Sequence, residues 1–264
     1  MSQKPPPKQF VKTPIKGTKY TLLVSSAKGG VGKSTVAVNL AFALQNLDLQ
    51  IGILDADVYG PSLPKLMKIN EKPKSEDGKA ITPVTKYGVQ CMSMGLLVDE
   101  LTPMIWRGPM VISAIKTMTQ KVLWKDRDII IIDMPPGTGD TQLTFAQEVK
   151  VDGAIIVSTP QDLALLDVKR GIQMFDKTGV KILGLIDNMS YFQGDDGKEY
   201  KIFGESRVKK TAKEFNKEFL GHLPIHQDLR SSADKGDPLT HADPNHDVSI
   251  LFKDIAEKIK RSFQ

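Results

Sequence analysis

The sequence predicts an α/β fold: a mostly parallel β-sheet flanked by helices on both faces. Three observations carry that expectation. Apolar strand-like runs alternate with helical patterns along the 264 residues, as in successive βαβ units. The runs are continuous in Val, Ile and Leu rather than alternating with polar residues, which suits strands covered on both sides. A glycine-rich loop joins the first run to the first helical pattern, a strand–loop–helix arrangement built to face a phosphate.

In chain order, residues 21–25 form the first strand and 34–45 the first helix. Residues 50–54 form the second strand. Residues 64–88, rich in Lys, Pro and Gly, read as a loop before a short strand at 89–92. A helix at 110–123 leads to the strand at 129–133. Strands at 153–157 and 181–186 flank a helix at 163–176. Residues 193–201 read as a loop, 205–219 as a helix, and 247–263 as the closing helix. There Leu251, Ile255, Ile259 and Phe263 share one stripe, with Lys253, Lys258, Lys260 and Arg261 elsewhere. A basic amphipathic helix can lie on a membrane. Asp254 and Glu257 interrupt the basic face, and packing on the core is the reading adopted. No internal repeat is visible, so 20–264 reads as one domain behind a flexible Lys/Pro-rich tail, 1–19.

Composition excludes several classes. At 40% apolar and 25% charged residues the chain is ordinary globular material. No apolar run approaches the roughly 18 residues of a membrane span, and no signal-peptide core precedes the domain. The net charge of +5 belongs to the tail, which holds Lys4, Lys8, Lys12, Lys16 and Lys19 and no acid. Setting those five aside leaves 31 basic residues against 31 acidic ones. A formally neutral body predicts neither a nucleic-acid partner nor a membrane one. A cytoplasmic location is the expectation. Cys91 is the single cysteine, so one chain has neither a disulfide nor a thiolate pair.

The chemistry is concentrated in three motifs. The loop Lys28-Gly29-Gly30-Val31-Gly32-Lys33-Ser34-Thr35 fits a phosphate loop, whose inward backbone N–H groups and helix N-terminus favour bound anions. Lys33 is expected on the β/γ-phosphates and the Ser34 hydroxyl on Mg²⁺. The second strand ends in Asp55-Ala56-Asp57. Asp57 is placed to orient or deprotonate an attacking water, and Asp55 to hydrogen-bond the loop or the metal shell. The third motif runs from Ile129 through Asp133 to Pro135-Pro136-Gly137. Asp133 is expected to hold a Mg²⁺-bound water. The Gly137 N–H is expected to meet the γ-phosphate in a turn that senses hydrolysis. Asn188, at the end of a later strand, offers both a donor and an acceptor to a purine edge.

With Lys28 ahead of Gly32-Lys33-Ser34-Thr35, the loop resembles that of the deviant Walker A family of P-loop NTPases. That family includes the partition and septum-positioning ATPases and the nitrogenase iron protein. Within it, the strings at 55–62, 93–95, 106–110, 133–140, 158–165, 187–192 and 223–238 are similar to the Mrp/ApbC group of iron–sulfur cluster carriers. The resemblance implies an ATP- and Mg²⁺-dependent hydrolysing homodimer in which Lys28 reaches the partner's phosphates. It implies Lys33, Ser34 and Thr35 on phosphates and metal, Asp57 on the water, Asp133 on the metal shell and Asn188 on adenine. Apo iron–sulfur proteins or assembly factors follow as partners. The group usually carries Cys-x-x-Cys near what are here Gly194 and Gly197, and this chain has no thiolate there. His222 and His226 read as ordinary surface histidines.

Two further readings use the same engine. One is a nucleotide-gated positioning or scaffold switch without a cluster, which needs a membrane-binding final helix or a basic DNA-binding face. The other is a nucleotide-dependent reductase, which needs cluster ligands.

Overall fold

The computed structural model describes residues 12–75, 79–97, 108–194 and 196–264. Strand β1 (Thr18–Ser25) leads through the glycine loop into α1 (Lys33–Gln45), then β2 (Ile51–Asp55) and the short α2 (Leu63–Leu66). The hairpin β3 (Val84–Lys86) and β4 (Val89–Ser93) precedes α3 (Gly108–Gln120) and β5 (Arg127–Asp133). Next come α4 (Asp140–Glu148), β6 (Gly153–Ser158), α5 (Asp162–Thr178) and β7 (Ile182–Asp187). A small hairpin, β8 (Phe192–Gln193) and β9 (Glu199–Tyr200), is followed by α6 (Val208–Glu214) and β10 (Phe219–His222). Helices α7 (Gln227–Lys235), α8 (Leu239–Ala242) and α9 (Asp247–Ser262) end the chain.

The main sheet has eight strands in the order β10-β7-β6-β1-β5-β2-β4-β3. All its pairings are parallel except the edge hairpin β3–β4. The chain leaves β1 on one side to reach β2 and later returns to place β6 on the other. Such a switch point opens a crevice at the carboxyl ends of the strands. The register sets Val24 and Asp55 beside Asp133, and Ser158 beside Asp187, all at that end.

Strand alternation divides the core in two. Leu22, Val24, Ile129 and Ile131 pack on one face with α1 and α9, while Leu23, Ile130 and Ile132 pack on the other with residues of α3, α4 and α5. Each such Ile buried contributes roughly 1.5–3 kcal/mol. This is why the runs are apolar throughout. Helix α1 is buried on nearly every side, from Val36 to Leu44, because α9 covers what the sheet does not. No helix among the described residues is long and apolar enough to cross a membrane.

Several expectations are corrected. Residues 12–19 are packed rather than part of a flexible tail. Thr13 N donates to Glu148 O at 2.9 Å, Lys12 Nζ to Thr178 O at 2.7 Å, and Ile15 is 2% exposed. The first eleven residues, and Trp106 and Arg107 of the 106–110 string, lie outside the described residues. The helix expected over 205–219 is two elements. It stops at Glu214, Asn216 turns left-handed (φ 51°), and Phe219–His222 then adds a parallel edge strand beside β7. Helices α4 and α7 were not expected, because their apolar residues are too sparse for a clear 3.6 period. The closing helix does pack, burying Phe252, Ile255 and Ile259, while Lys258 Nζ donates to Leu220 O at 2.7 Å.

Candidate functional site

The loop between β1 and α1 owes its shape to Gly30 (φ 78°) and Gly32 (φ 77°), both in the left-handed region that only glycine enters without cost. Gly32 is the N-cap of α1 and supplies no side chain, so the first N–H groups of the helix point into the loop without a side-chain cap. Lys33 and Ser34 begin that helix. Lys28 is exposed on the outer part of the loop, with its carbonyl fixed by the Ser26 hydroxyl at 2.9 Å. Gly29 is likewise exposed, and Val31 is buried below it.

Beneath the loop, the Lys33 ammonium is ion-paired with the Asp133 carboxylate and lies 3.3 Å from the Ser34 hydroxyl. Lys33 and Asp133 are both buried. Burial raises the Asp133 carboxyl, and Lys33 and the Ser34 hydroxyl oppose that shift. Sequence reasoning expected these three residues together, and the parallel register of β1 and β5 joins them.

Asp55 sits one strand away, fully buried. Its Oδ2 accepts Ser62 N at 2.9 Å, Leu63 N at 3.1 Å and the Ser93 hydroxyl at 3.1 Å, and its Oδ1 accepts Asp57 N at 3.1 Å. It therefore holds the loop that follows β2. Burial, then the Asp133 charge, pushes its carboxyl up to about 7. Asp57, half-buried at the head of that loop, accepts Tyr59 N and Gly60 N, each at 3.2 Å. It lines a cavity of about 320 Å³ with Tyr59, Pro135, Pro136 and Gln142.

The Gly137 N–H expected at a γ-phosphate instead donates to Ser26 O at 2.9 Å. Gln142, a residue that sequence reasoning missed, strengthens this latch. Its Oε1 accepts the Ser25 hydroxyl at 3.1 Å, and its Nε2 donates to Pro135 O at 2.5 Å. The Pro-Pro-Gly turn is thus tied to the start of the phosphate loop. The sequence neighbours of Gln142, among them Asp140, Thr141 and Thr144, gave no cue, yet it is 1% exposed.

A second cavity, about 580 Å³, opens beside Gly32 and Thr35 and is bounded by Asn188, Met189, Pro224 and Ile225. It is mostly apolar with a few placed polar groups, the usual make-up of a small-ligand pocket. Asn188 donates from Nδ2 to Val31 O at 2.8 Å, and its Oδ1 is buried without a hydrogen-bond partner among the described residues. An unpaired acceptor suits an exocyclic amine, as on adenine, and repels the carbonyl of guanine. Met189 is held at φ 56°, a strained left-handed conformation for a side-chain-bearing residue.

The remaining candidates do not join the site as ligands. Cys91 is fully buried with Sγ 3.7 Å from Met67 Sδ, and burial pushes its thiol up. His226 and His246 lie with Asp228 in the one group of histidines and acids close enough to hold a metal among the described residues. Both rings are committed as helix caps, with Nδ1 of His226 accepting Asp228 N and Nδ1 of His246 accepting Val248 N. A metal would take these rings only at the expense of a cap. Gly194 and Gly197 lie in the turn of the β8–β9 hairpin.

The comparisons identify the family and the fold. The family model described as ParA, NUBPL iron-transfer P-loop NTPase, matches residues 17–260. An Arabidopsis thaliana iron–sulfur protein required for NADH dehydrogenase, mitochondrial, is 48% identical over 95% of this chain and 80% of its own length. The Escherichia coli K12 iron–sulfur cluster carrier protein is 44% identical over 93% of this chain and 67% of its own. A nucleotide-binding protein of Archaeoglobus fulgidus, solved in complex with ADP, superposes with a TM-score of 0.74 at 35% identity. It covers 84% of this chain, which spans 88% of that one. The septum site-determining protein MinD of Pyrococcus horikoshii shares the fold, with a TM-score of 0.68 at 20% identity over 92% of this chain and 96% of that one. The chain belongs to the NUBPL iron-transfer group of ParA-type P-loop NTPases, the Mrp/ApbC-like iron–sulfur cluster carriers.

Proposed function

We propose that this chain hydrolyses ATP in a homodimer and uses the cycle in assembling or transferring iron–sulfur clusters to apoproteins. The observation that carries the reading is the buried Lys33–Asp133–Ser34 group beneath the phosphate loop, with Asp57 bordering the adjoining cavity. Backbone N–H groups from Gly29 to Gly32 and the start of α1 cradle the phosphates, and Thr35 borders the nucleotide. Lys33 neutralises the β/γ-phosphates, for which it exchanges its bond to Asp133. The exposed Lys28 reaches the partner subunit's nucleotide. Asp57 orients the attacking water, and Asn188 reads adenine.

The Ser34 hydroxyl and the Asp133 carboxylate meet at the same Lys33 ammonium. Two hard oxygen donors thus stand together beside the loop, which fits Mg²⁺. When bound, the ion supplies charge neutralisation on the phosphate oxygens.

The cluster is cargo, and the relatives' names support that part of the reading. With Cys91 buried and no thiolate at Gly194 or Gly197, thiolate ligands come from a client or an assembly partner. Two assays test the proposal together. Phosphate release should require Mg²⁺ and vanish in Lys33→Ala. Anaerobic reconstitution with iron and sulfide should leave the chain alone without a bound cluster, whereas a cysteine-bearing apo client added with ATP should acquire one. Unchanged hydrolysis in Lys33→Ala would remove the site assignment. A positioning switch is less well supported, because α9 spends its apolar stripe on the core.

A further inference from the structure

We propose that the β8–β9 hairpin and the segment after it form an aromatic clamp on the nucleotide base, so that nucleotide binding orders the hairpin. The inference rests on the nucleotide reading above and adds a specific device to it.

Phe192, the first residue of β8, and Phe203, three residues beyond β9, both line the 580 Å³ cavity. The same cavity is bordered by Asn188, with its unpaired Oδ1, and by Gly32 and Thr35 of the phosphate-loop end. A ligand lying on the phosphate loop and reaching Asn188 therefore meets both rings. Each ring is 38% exposed, and Tyr200 and Ile202 beside them are exposed as well. Four large apolar side chains open to solvent within twelve residues mark a surface built to be covered. A planar base is a fitting cover, since stacking tolerates any π-face and is strongest on aromatic rings.

The hairpin is short and is held by a few exposed bonds, among them Gly194 N to Lys198 O and the Tyr200 hydroxyl to Asp196 Oδ2, both at 2.9 Å. Its strands contain two residues each, with Phe192 opposite Tyr200 and Gln193 opposite Glu199. Two-stranded ribbons of this size are marginal in water. Its root, in contrast, is tied to the far wall of the cavity. Ile225 N donates to Tyr191 O at 2.7 Å, Ser190 N donates to Leu223 O at 2.9 Å, and Phe192 forms a parallel bridge with Ile225. Pro224 and Ile225 line the pocket, and His226 caps α7 directly after them. A base held between these walls joins Phe203 to the anchored root and closes the hairpin from its open side. Its order would then report nucleotide to whatever docks on that surface.

The test separates base from phosphate. Calorimetric titration of the wild type with ADP and with pyrophosphate is compared with Phe203→Ala, Phe192→Ala and Phe203→Tyr, alongside amide hydrogen exchange at Gly194 and Lys198. ADP affinity should fall about 10-fold in each alanine variant, the scale of one lost stacking contact. Pyrophosphate affinity should be unchanged, which also shows that the phosphate loop is intact, and Phe203→Tyr should bind ADP as the wild type does. ADP should slow exchange at Gly194 and Lys198 in the wild type and not in Phe203→Ala. Alanine variants that bind ADP normally would overturn the clamp and leave the nucleotide site standing. A wild type that binds neither ligand would overturn both.

Discussion

Asn188 donates from Nδ2 to the Val31 carbonyl at 2.8 Å, which ties the end of β7 to the phosphate loop of β1 across the strand β6 that separates them. The bond fixes the amide's orientation and leaves Oδ1 buried without a partner among the described residues. It also constrains the loop. A Cβ on Gly32 would lie 2.4 Å from that Nδ2, at a φ of 77°.

Asn188→Ala should therefore weaken ADP binding about 10-fold, the value of one buried hydrogen bond, and erase the preference for ADP over GDP. Titration with both nucleotides measures this. Gly32→Ala should cost more, because backbone strain of about 1–3 kcal/mol adds to displacement of the Asn188 amide. Normal ADP binding by Gly32→Ala would contradict the coupling.

The two loop lysines should separate by assay. Lys33 is buried against Asp133, so Lys33→Ala should abolish phosphate release and also lower the unfolding midpoint, since Asp133 loses its counter-charge. Lys28 is exposed, so Lys28→Ala should remove hydrolysis while keeping most ATP affinity and all stability. Mixing Lys28→Ala with a hydrolysis-dead Asp57→Ala chain should restore some turnover if the lysine acts across subunits.

Gln142→Ala should loosen the Pro135–Gly137 turn, leaving the Gly137 N–H to Ser26 O bond as its tie to the phosphate loop. It leaves the buried Ser25 hydroxyl and Pro135 carbonyl without that partner, a loss of roughly 1–3 kcal/mol by chemical denaturation. Turnover should fall while ADP affinity holds, because the bonds lie on the side of the cavity that Asp57 lines.

Asp187 provides a pH test. Burial pushes its carboxyl up to about 6, partly offset by the Ser206 hydroxyl, and its Oδ1 has no partner among the described residues. A folded-state value above the unfolded one means that the folded chain holds the proton more tightly. The group's contribution to stability is therefore present below about pH 4 and is lost as pH rises through 6. Asp187→Asn should match the wild type at low pH and exceed it by roughly 1–3 kcal/mol above pH 7. Urea midpoints across pH 4–8 would show the two curves diverging, and parallel curves would refute the assignment.

The core strands and the phosphate chemistry were legible because their signals are local. The apolar run Ile129–Ile132 with its terminal Asp133 is contiguous, and so is the loop from Lys28 to Thr35. The hairpin's four strand residues are too few to show a period, and Phe219–His222 was hidden in a helical pattern that Asn216 ends. Gln142 gave no cue beyond being polar, because its partners lie on other elements of the fold.

By itself the sequence determined the kind of engine: a parallel sheet, a phosphate loop with two lysines, strand-end carboxylates, and no thiolate pair. Tertiary structure alone decided how those parts are committed. It gave Lys33 to Asp133, Asp55 to its own loop and the Gly137 N–H to Ser26, and it assembled the 580 Å³ cavity from residues that include 32, 35, 188, 192, 203 and 224–226. The physical reason is range. Residue type and short spacing encode which groups can bind a phosphate, whereas the partner of a buried donor or acceptor is set by register and packing between segments far apart in the chain.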